Sequence, residues 1–111
     1  MNKDDSAYLR DMLTTARKLQ ALSLAREQYD REETVQAASR YWIQTIGEAA
    51  SRVSTTFQTA HPEIAWRAII GMRNRIVHDY LGIDDDVVWE VITRNIPDLI
   101  TQLEALIADE G

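Results

Sequence analysis

Cysteine is absent from the 111 residues, which removes disulfide frameworks, thiolate zinc sites and cysteine nucleophiles together. Histidine occurs twice, too seldom for a multi-histidine metal cage within one chain. Four glycines and two prolines leave little material for hairpins. No apolar run approaches the roughly 20 residues of a membrane span. Met1-Asn2-Lys3-Asp4-Asp5 is charged where a signal peptide would need its apolar stretch, so the expected address is the cytoplasm. What remains, 45% hydrophobic and 27% charged, is the composition of a single globular domain over 1–111.

Positive charge is also scarce, and it is unevenly placed. The net charge is −6, with eight Lys/Arg against eight Asp/Glu in residues 1–60, three against two in 61–83, and one against eight in 84–111. Phosphate binding is driven by clustered Lys and Arg, so so acidic a chain cannot coat nucleic acid indiscriminately. Any nucleic-acid chemistry must sit in a local basic site, and only 61–83 qualifies.

Apolar residues recur at helical spacing almost throughout, which predicts an all-α antiparallel bundle of four to five helices. A first helix from about Asp5 to Ala25 carries Leu9, Met12, Ala16, Leu19 and Leu22 on one stripe. Asp30 and Glu33 have the spacing of a capping box for the second, which carries Val35, Ala38, Trp42, Ile46, Ala49 and Val53 and ends near 54–57. Pro62 suits the first turn of a third helix over about Glu63 to Asp79, stopped by Gly82. Asp84, Asp85 and Asp86 favour the positive end of a fourth, running to about Ala108 and kinked or broken near Pro97. Three consecutive acids point in different directions, so capping explains them better than a metal site. Trp42, Trp66 and Trp89 lie on or beside apolar faces and read as core packing, and His61 as a loop or cap residue.

On a wheel of 100° per residue, Ala65, Ile69, Met72 and Ile76 of the third helix form a core stripe, flanked by Trp66, Ile70 and Val77. Arg67, Gly71, Asn74 and His78 form the opposite stripe, with three groups able to bind phosphate or move protons. Gly71 costs helix stability, which fits either neutral drift or close approach of a partner helix or ligand. Arg73 falls inside the apolar sector. There it is either an ion pair, with Glu48 as the obvious partner, or a group at a dimer boundary reaching a phosphate from the edge of the apolar face. His78 is the one histidine placed for general acid–base work. Once the helix stops, Tyr80 can turn towards it.

Residues 73–80, Arg-Asn-Arg-Ile-Val-His-Asp-Tyr, match the RX4HXY signature of HepT toxins, in the HEPN group of helical ribonucleases. Ile46-Gly47-Glu48-Ala49-Ala50, His61-Pro62-Glu63-Ile64, Trp66-Arg67, Ile70-Gly71-Met72, Val88-Trp89 and Ile96-Pro97 resemble the flanking blocks of that family over about residues 30–100. Ala65 departs from it, since many relatives carry proline there. The resemblance implies a homodimeric toxin that cleaves RNA without metal or other cofactor. It also implies a partner, an MNT-type nucleotidyltransferase antitoxin that transfers AMP from ATP to the motif tyrosine. Carried over by position, Arg73 and His78 are the nuclease pair and Tyr80 is the AMPylated hydroxyl; Asn74, Arg67 and Arg75 are the expected supporting residues for RNA binding. A different class of protein fits the same residues: a non-catalytic helical dimerisation or nucleotide-binding module that docks a nucleotidyltransferase.

Overall fold

The apolar spacing builds helices along most of the described residues. The computed structural model describes residues 1–22 and 25–110, and every regular element among them is helical. Helix α1 spans Lys3–Ala21. It starts before Asp5 because the Asn2 side chain caps it, accepting from the Asp5 N–H at 2.7 Å. Leu9, Met12, Ala16 and Leu19 of the expected stripe are buried, and Leu22 is half-buried. The helix does not reach Ala25, whose extended backbone instead caps a separate short helix, α2, over Arg26–Arg31. Positions 23 and 24 of the expected run lie outside the described residues.

The expected capping box is not formed. Asp30 sits inside α2 and pairs with Arg26 at 2.9 Å, while Glu32 is the N-cap of α3 and makes no side-chain cap bond. The cause is Tyr29, which is fully buried and draws 26–31 into a turn of their own. Gln36 spans the junction, donating to the carbonyls of Tyr29 at 2.9 Å and Asp30 at 3.2 Å. Helix α3 covers Glu33–Arg52 and stops at the extended Val53, earlier than the sequence suggested. A fresh helix, α4, then runs over Thr55–Ala60, capped by Ser54.

Helix α5, Trp66–His78, begins after an irregular turn. Burial of Ile64 and the bond from Trp66 Nε1 to the His61 carbonyl at 2.9 Å hold residues 61–65 out of helical register, so Glu63 lies before the helix rather than in it. His78 is its last residue, so it stops before Gly82; Tyr80–Gly82 make one 3-10 turn in which Gly82 N–H donates to the Asp79 carbonyl at 3.1 Å. Asp84 caps α6, Asp85–Glu90, by accepting from Asp86 N–H at 2.8 Å. A π-helical stretch, Val91–Asn95, joins α6 to α7, Ile96–Glu110. The Ile96 N–H reaches back to Val91, and the irregularity falls where Pro97 has no N–H to give and its ring would crowd the Thr93 carbonyl.

Helix α3 is central, packing on α1 along one side and α5 along the other, while α1 also packs on α7. Helices α3 and α5 approach closely at Gly47: a Cβ there would collide with Arg73 Cβ and stand 3.0 Å from the Ile69 carbonyl. Glycine lets the two helix backbones approach so near. Gly71, by contrast, faces open space, with nothing within 4 Å of a Cβ built on it.

Just beyond the C-terminal end of α3, Asp5 is 3% exposed. Its carboxylate accepts from Ser54 N–H at 2.7 Å, Ser54 hydroxyl at 2.7 Å and Asn2 amide at 3.1 Å. The Ser54 hydroxyl in turn accepts from Phe57 N–H at 3.2 Å, capping α4. Removing the carboxylate leaves buried donors unsatisfied, so Asp5→Ala is expected to lower the unfolding free energy by about 2–3 kcal/mol in a urea titration. The two glycines provide an internal contrast. Gly47→Ala is expected to cost about 1–3 kcal/mol through overpacking, whereas Gly71→Ala gains up to about 1 kcal/mol of helix propensity. Equal effects at the two positions in the same titration would contradict the close approach at Gly47.

Candidate active site on helix α5

The α5 wheel sorts its residues largely as the spacing predicts. Trp66, Met72 and Ile76 are buried, and Ile69 and Ile70 half-buried. Two positions differ. Ala65 is exposed because it is the N-cap rather than part of the helix, and Val77 is 42% exposed on the last turn. A wheel gives a direction, not whether a neighbouring helix covers it.

Arg73 occupies the boundary between core and solvent. Its stem lies against Gly47, while its Nε and one terminal nitrogen both donate to Glu48 Oε2 at 2.8 Å. The other terminal nitrogen donates to Asn74 Oδ1 at 2.8 Å. Glu48 also lies 3.6 Å from Arg52 through its second oxygen. The ion pair weighed from sequence is therefore present. It does not exhaust the arginine: a guanidinium has five N–H donors, and these contacts use three. The side chain is 28% exposed, so the remaining donors can meet an incoming anion.

Arg67, Asn74, Arg75 and His78 are all exposed on α5. Among the described residues, Arg67, Arg75 and His78 make no ion pair or hydrogen bond through their side chains. Most other arginines are engaged: Arg17 with Glu104, Arg26 with Asp30 and Asp86, Arg40 with Asp85, Arg94 with Glu90. Helix α5 thus carries two unpaired arginines, as Lys3, Lys18 and Arg31 are also unpaired elsewhere among the described residues. His78 ends α5, next to the unsatisfied carbonyls of its last turn, and Tyr80 follows outside the helix at 39% exposure.

One feature had no sequence signal. The Tyr80 ring lies against Arg40 of α3, whose guanidinium carbon is 5.3 Å from the ring centroid. Asp85 of α6 holds Arg40 at 2.8 Å and accepts the buried Tyr29 hydroxyl at 2.9 Å with the same oxygen. Burial alone would lower the Arg40 pKa, but the hydrogen bond and charge of Asp85 outweigh it and the net shift is upward. Burial, then the bond to Asp85, pushes the Tyr29 phenol upward too. These partners are 45 and 56 residues apart in the chain, so no local spacing could have revealed them.

The residues set aside from sequence have separate partners. Asp84 caps α6, Asp85 holds Arg40 and Tyr29, and Asp86 pairs with Arg26 at 2.7 Å. Trp66 is buried, with Trp42 and Trp89 packed against the core. His61 is the C-cap of α4, its ring 4.2 Å from that of Phe57.

Comparison with known proteins gives matches over most of the chain. The "Probable ribonuclease HepT" of Thermococcus cleftensis is 29% identical over 108 residues, 96% of this chain and 98% of that protein. "Putative RNase MJ0127" of Methanocaldococcus jannaschii is 24% identical over 109 residues, 96% of this chain and 90% of its own length. "Putative RNase TTE0752" of Caldanaerobacter subterraneus subsp. tengcongensis is 32% identical over 68 residues; the match spans 61% of each protein. No solved structure gives a significant match. The family model described as Ribonuclease HepT-like matches residues 12–106, which takes in α5, Glu48 and Tyr80, and the chain belongs to that HepT-like ribonuclease family.

Proposed function

We propose that this protein is the toxin of a HepT/MNT-type toxin–antitoxin pair: a metal-independent endoribonuclease whose active site is completed across a homodimer and silenced by AMPylation of Tyr80. The observation that carries the reading is the state of α5. It offers a fixed guanidinium with donors to spare and an exposed imidazole, flanked by two arginines that no acid neutralises.

The chemistry asks little more. The 2′-hydroxyl of RNA attacks the adjacent phosphorus while a base takes its proton. The 5′-oxygen leaves as it receives a proton, yielding a 2′,3′-cyclic phosphate and a 5′-hydroxyl. Neutral His78 of one subunit serves as the base, and protonated His78 of the other as the acid. Arg73 neutralises the charge that builds on the phosphoryl oxygens; it is always protonated and already oriented by Glu48.

Helix geometry favours two copies. Five residues separate Arg73 from His78, a rise of about 7.5 Å and a rotation of about 140°. One helix therefore presents the pair on different faces, and two-fold symmetry is the simplest way to bring an imidazole and a guanidinium onto one phosphate. Gly71, with open space before it, and the exposed Val77 and Leu81 leave the outer side of α5 free for a second copy. Arg67, Arg75 and Asn74 flank that face and would hold neighbouring phosphates.

Regulation uses the adjacent residue. The Tyr80 phenol oxygen attacks the α-phosphorus of ATP on the antitoxin, pyrophosphate leaves, and the phenolic proton passes to the antitoxin or to solvent. The product places a negative phosphodiester and an adenosine two residues from His78, excluding RNA by charge and bulk.

His78→Ala and Arg73→Ala are each expected to reduce RNA cleavage by at least about a thousandfold while leaving helix content and dimer mass unchanged. Full cleavage by a folded His78→Ala protein would end the proposal. Among the described residues no three carboxylate, histidine or cysteine side chains converge, so chelator should leave the rate unaltered. If no RNA is cut and the dimer binds nucleotide, the docking-module reading takes its place.

Tyr80→Phe is expected to keep its nuclease activity in the presence of the antitoxin and ATP, with no added mass. Silencing of Tyr80→Phe under those conditions would refute the modification site.

A further inference from the structure

We infer that Arg40 is a positioning residue for Tyr80, a cationic platform that presents the phenol to the nucleotidyltransferase; the inference rests on the reading of Tyr80 as the nucleotide acceptor.

Tyr80 lies beyond the last residue of α5, in a single 3-10 turn. Its hydroxyl makes no hydrogen bond among the described residues, and the neighbouring Leu81 is 94% exposed and gives it no packing. The face of its ring lies against Arg40. A cation on a ring face binds the π-cloud and leaves the oxygen unengaged. That is what an acceptor hydroxyl needs: orientation without a partner competing for its lone pairs or its proton.

The platform itself is anchored deep. Only 14% of the Arg40 side chain is exposed, and Asp85 holds one end. Asp85 is in turn bound by the hydroxyl of Tyr29, whose ring is fully buried and 5.4 Å from that of Trp89. A chain of contacts thus leads from the core through a carboxylate and a guanidinium to the reacting phenol. Arg40 Nε is buried and has no hydrogen-bond acceptor among the described residues. Arginine also suits the task better than lysine, since a planar guanidinium can lie parallel to a ring while bonding a carboxylate through its edge. After transfer, the same positive charge stands close to the new phosphodiester and favours the modified state.

The test compares wild type, Arg40→Met, Arg40→Lys and Asp85→Asn as acceptors for a purified MNT-type nucleotidyltransferase with α-labelled ATP. Label at Tyr80 is mapped by peptide mass, and thermal midpoints are measured in parallel. Arg40→Met keeps the aliphatic stem and removes the cation. It is expected to lower the transfer kcat about five- to tenfold with little change in KM for the acceptor protein. Arg40→Lys should recover part of the rate. Asp85→Asn, which loosens the anchor, should fall about threefold and decides the matter if Arg40→Met does not fold. Transfer to Arg40→Met at the wild-type rate, to Asp85→Asn at the wild-type rate where Arg40→Met does not fold, or losses that follow the thermal midpoint without rescue by lysine, would overturn the positioning role alone. Wild-type protein that takes no nucleotide at Tyr80 would instead defeat the acceptor reading itself.

Discussion

The approach of α3 to α5 at Gly47 is the constraint from which the candidate site follows. With no side chain at that position, the stem of Arg73 can lie directly against the α3 backbone. This converts an arginine in an apolar sector from a defect into a usable group: the methylenes fill the helix junction and the guanidinium emerges at its edge. Glu48, the next residue on α3, is thereby brought within 2.8 Å of two guanidinium nitrogens. The pair is partly exposed, so its contribution to stability is small, on the order of 1 kcal/mol or less. Its value is directional. Contacts to Glu48 and Asn74 hold the guanidinium in a defined orientation, the kind of preorganisation that charge stabilisation requires.

Charge is distributed by pairing as much as by sequence. The acidic final segment does not stand as an isolated negative tail, because Asp85, Asp86, Glu90 and Glu104 take up Arg40, Arg26, Arg94 and Arg17. Those ion pairs consume cations from α1, α2, α3 and the π-helical stretch. The arginines of α5 outside the Glu48 pair form no ion pair among the described residues. A chain of net charge −6 can therefore carry a locally attractive surface for a polyanion, with the rest of the molecule repelling it.

What was legible in the sequence was whatever is encoded locally. The periodicity of Leu9, Met12, Ala16 and Leu19 gave a correct buried stripe, Asp84 a correct cap, and Pro97 a correct irregularity. Glu48 could be proposed for Arg73 because both positions follow from wheels of two helices that pack. The failures share a cause in long-range contacts. Tyr29 is buried by packing against Trp89, and that burial, invisible in the spacing of Asp30 and Glu33, divides what looked like one helix start into two elements. Asp5 reads as an ordinary first-turn acid, yet Ser54, 49 residues later, makes it a buried anchor. Arg40 was overlooked for the same reason, its partners Asp85 and Tyr80 being brought to it only by the completed fold.

That difference in origin separates the two halves of the site. Arg73 and His78 belong to one helix and are oriented by its contact with α3. Tyr80 lies just past the end of that helix and rests on Arg40, also of α3, which α6 and α2 anchor through Asp85 and Tyr29. A group attached to the phenol therefore has no packed core to displace: it can extend from an exposed turn into the space before His78 while the Gly47 junction and the Glu48 pair remain as they are. In the toxin–antitoxin reading this is what a reversible or complete silencing needs from its scaffold. On that reading the Arg73–Glu48 pair would stay assembled, and inhibition would come from the nucleotide carried by Tyr80.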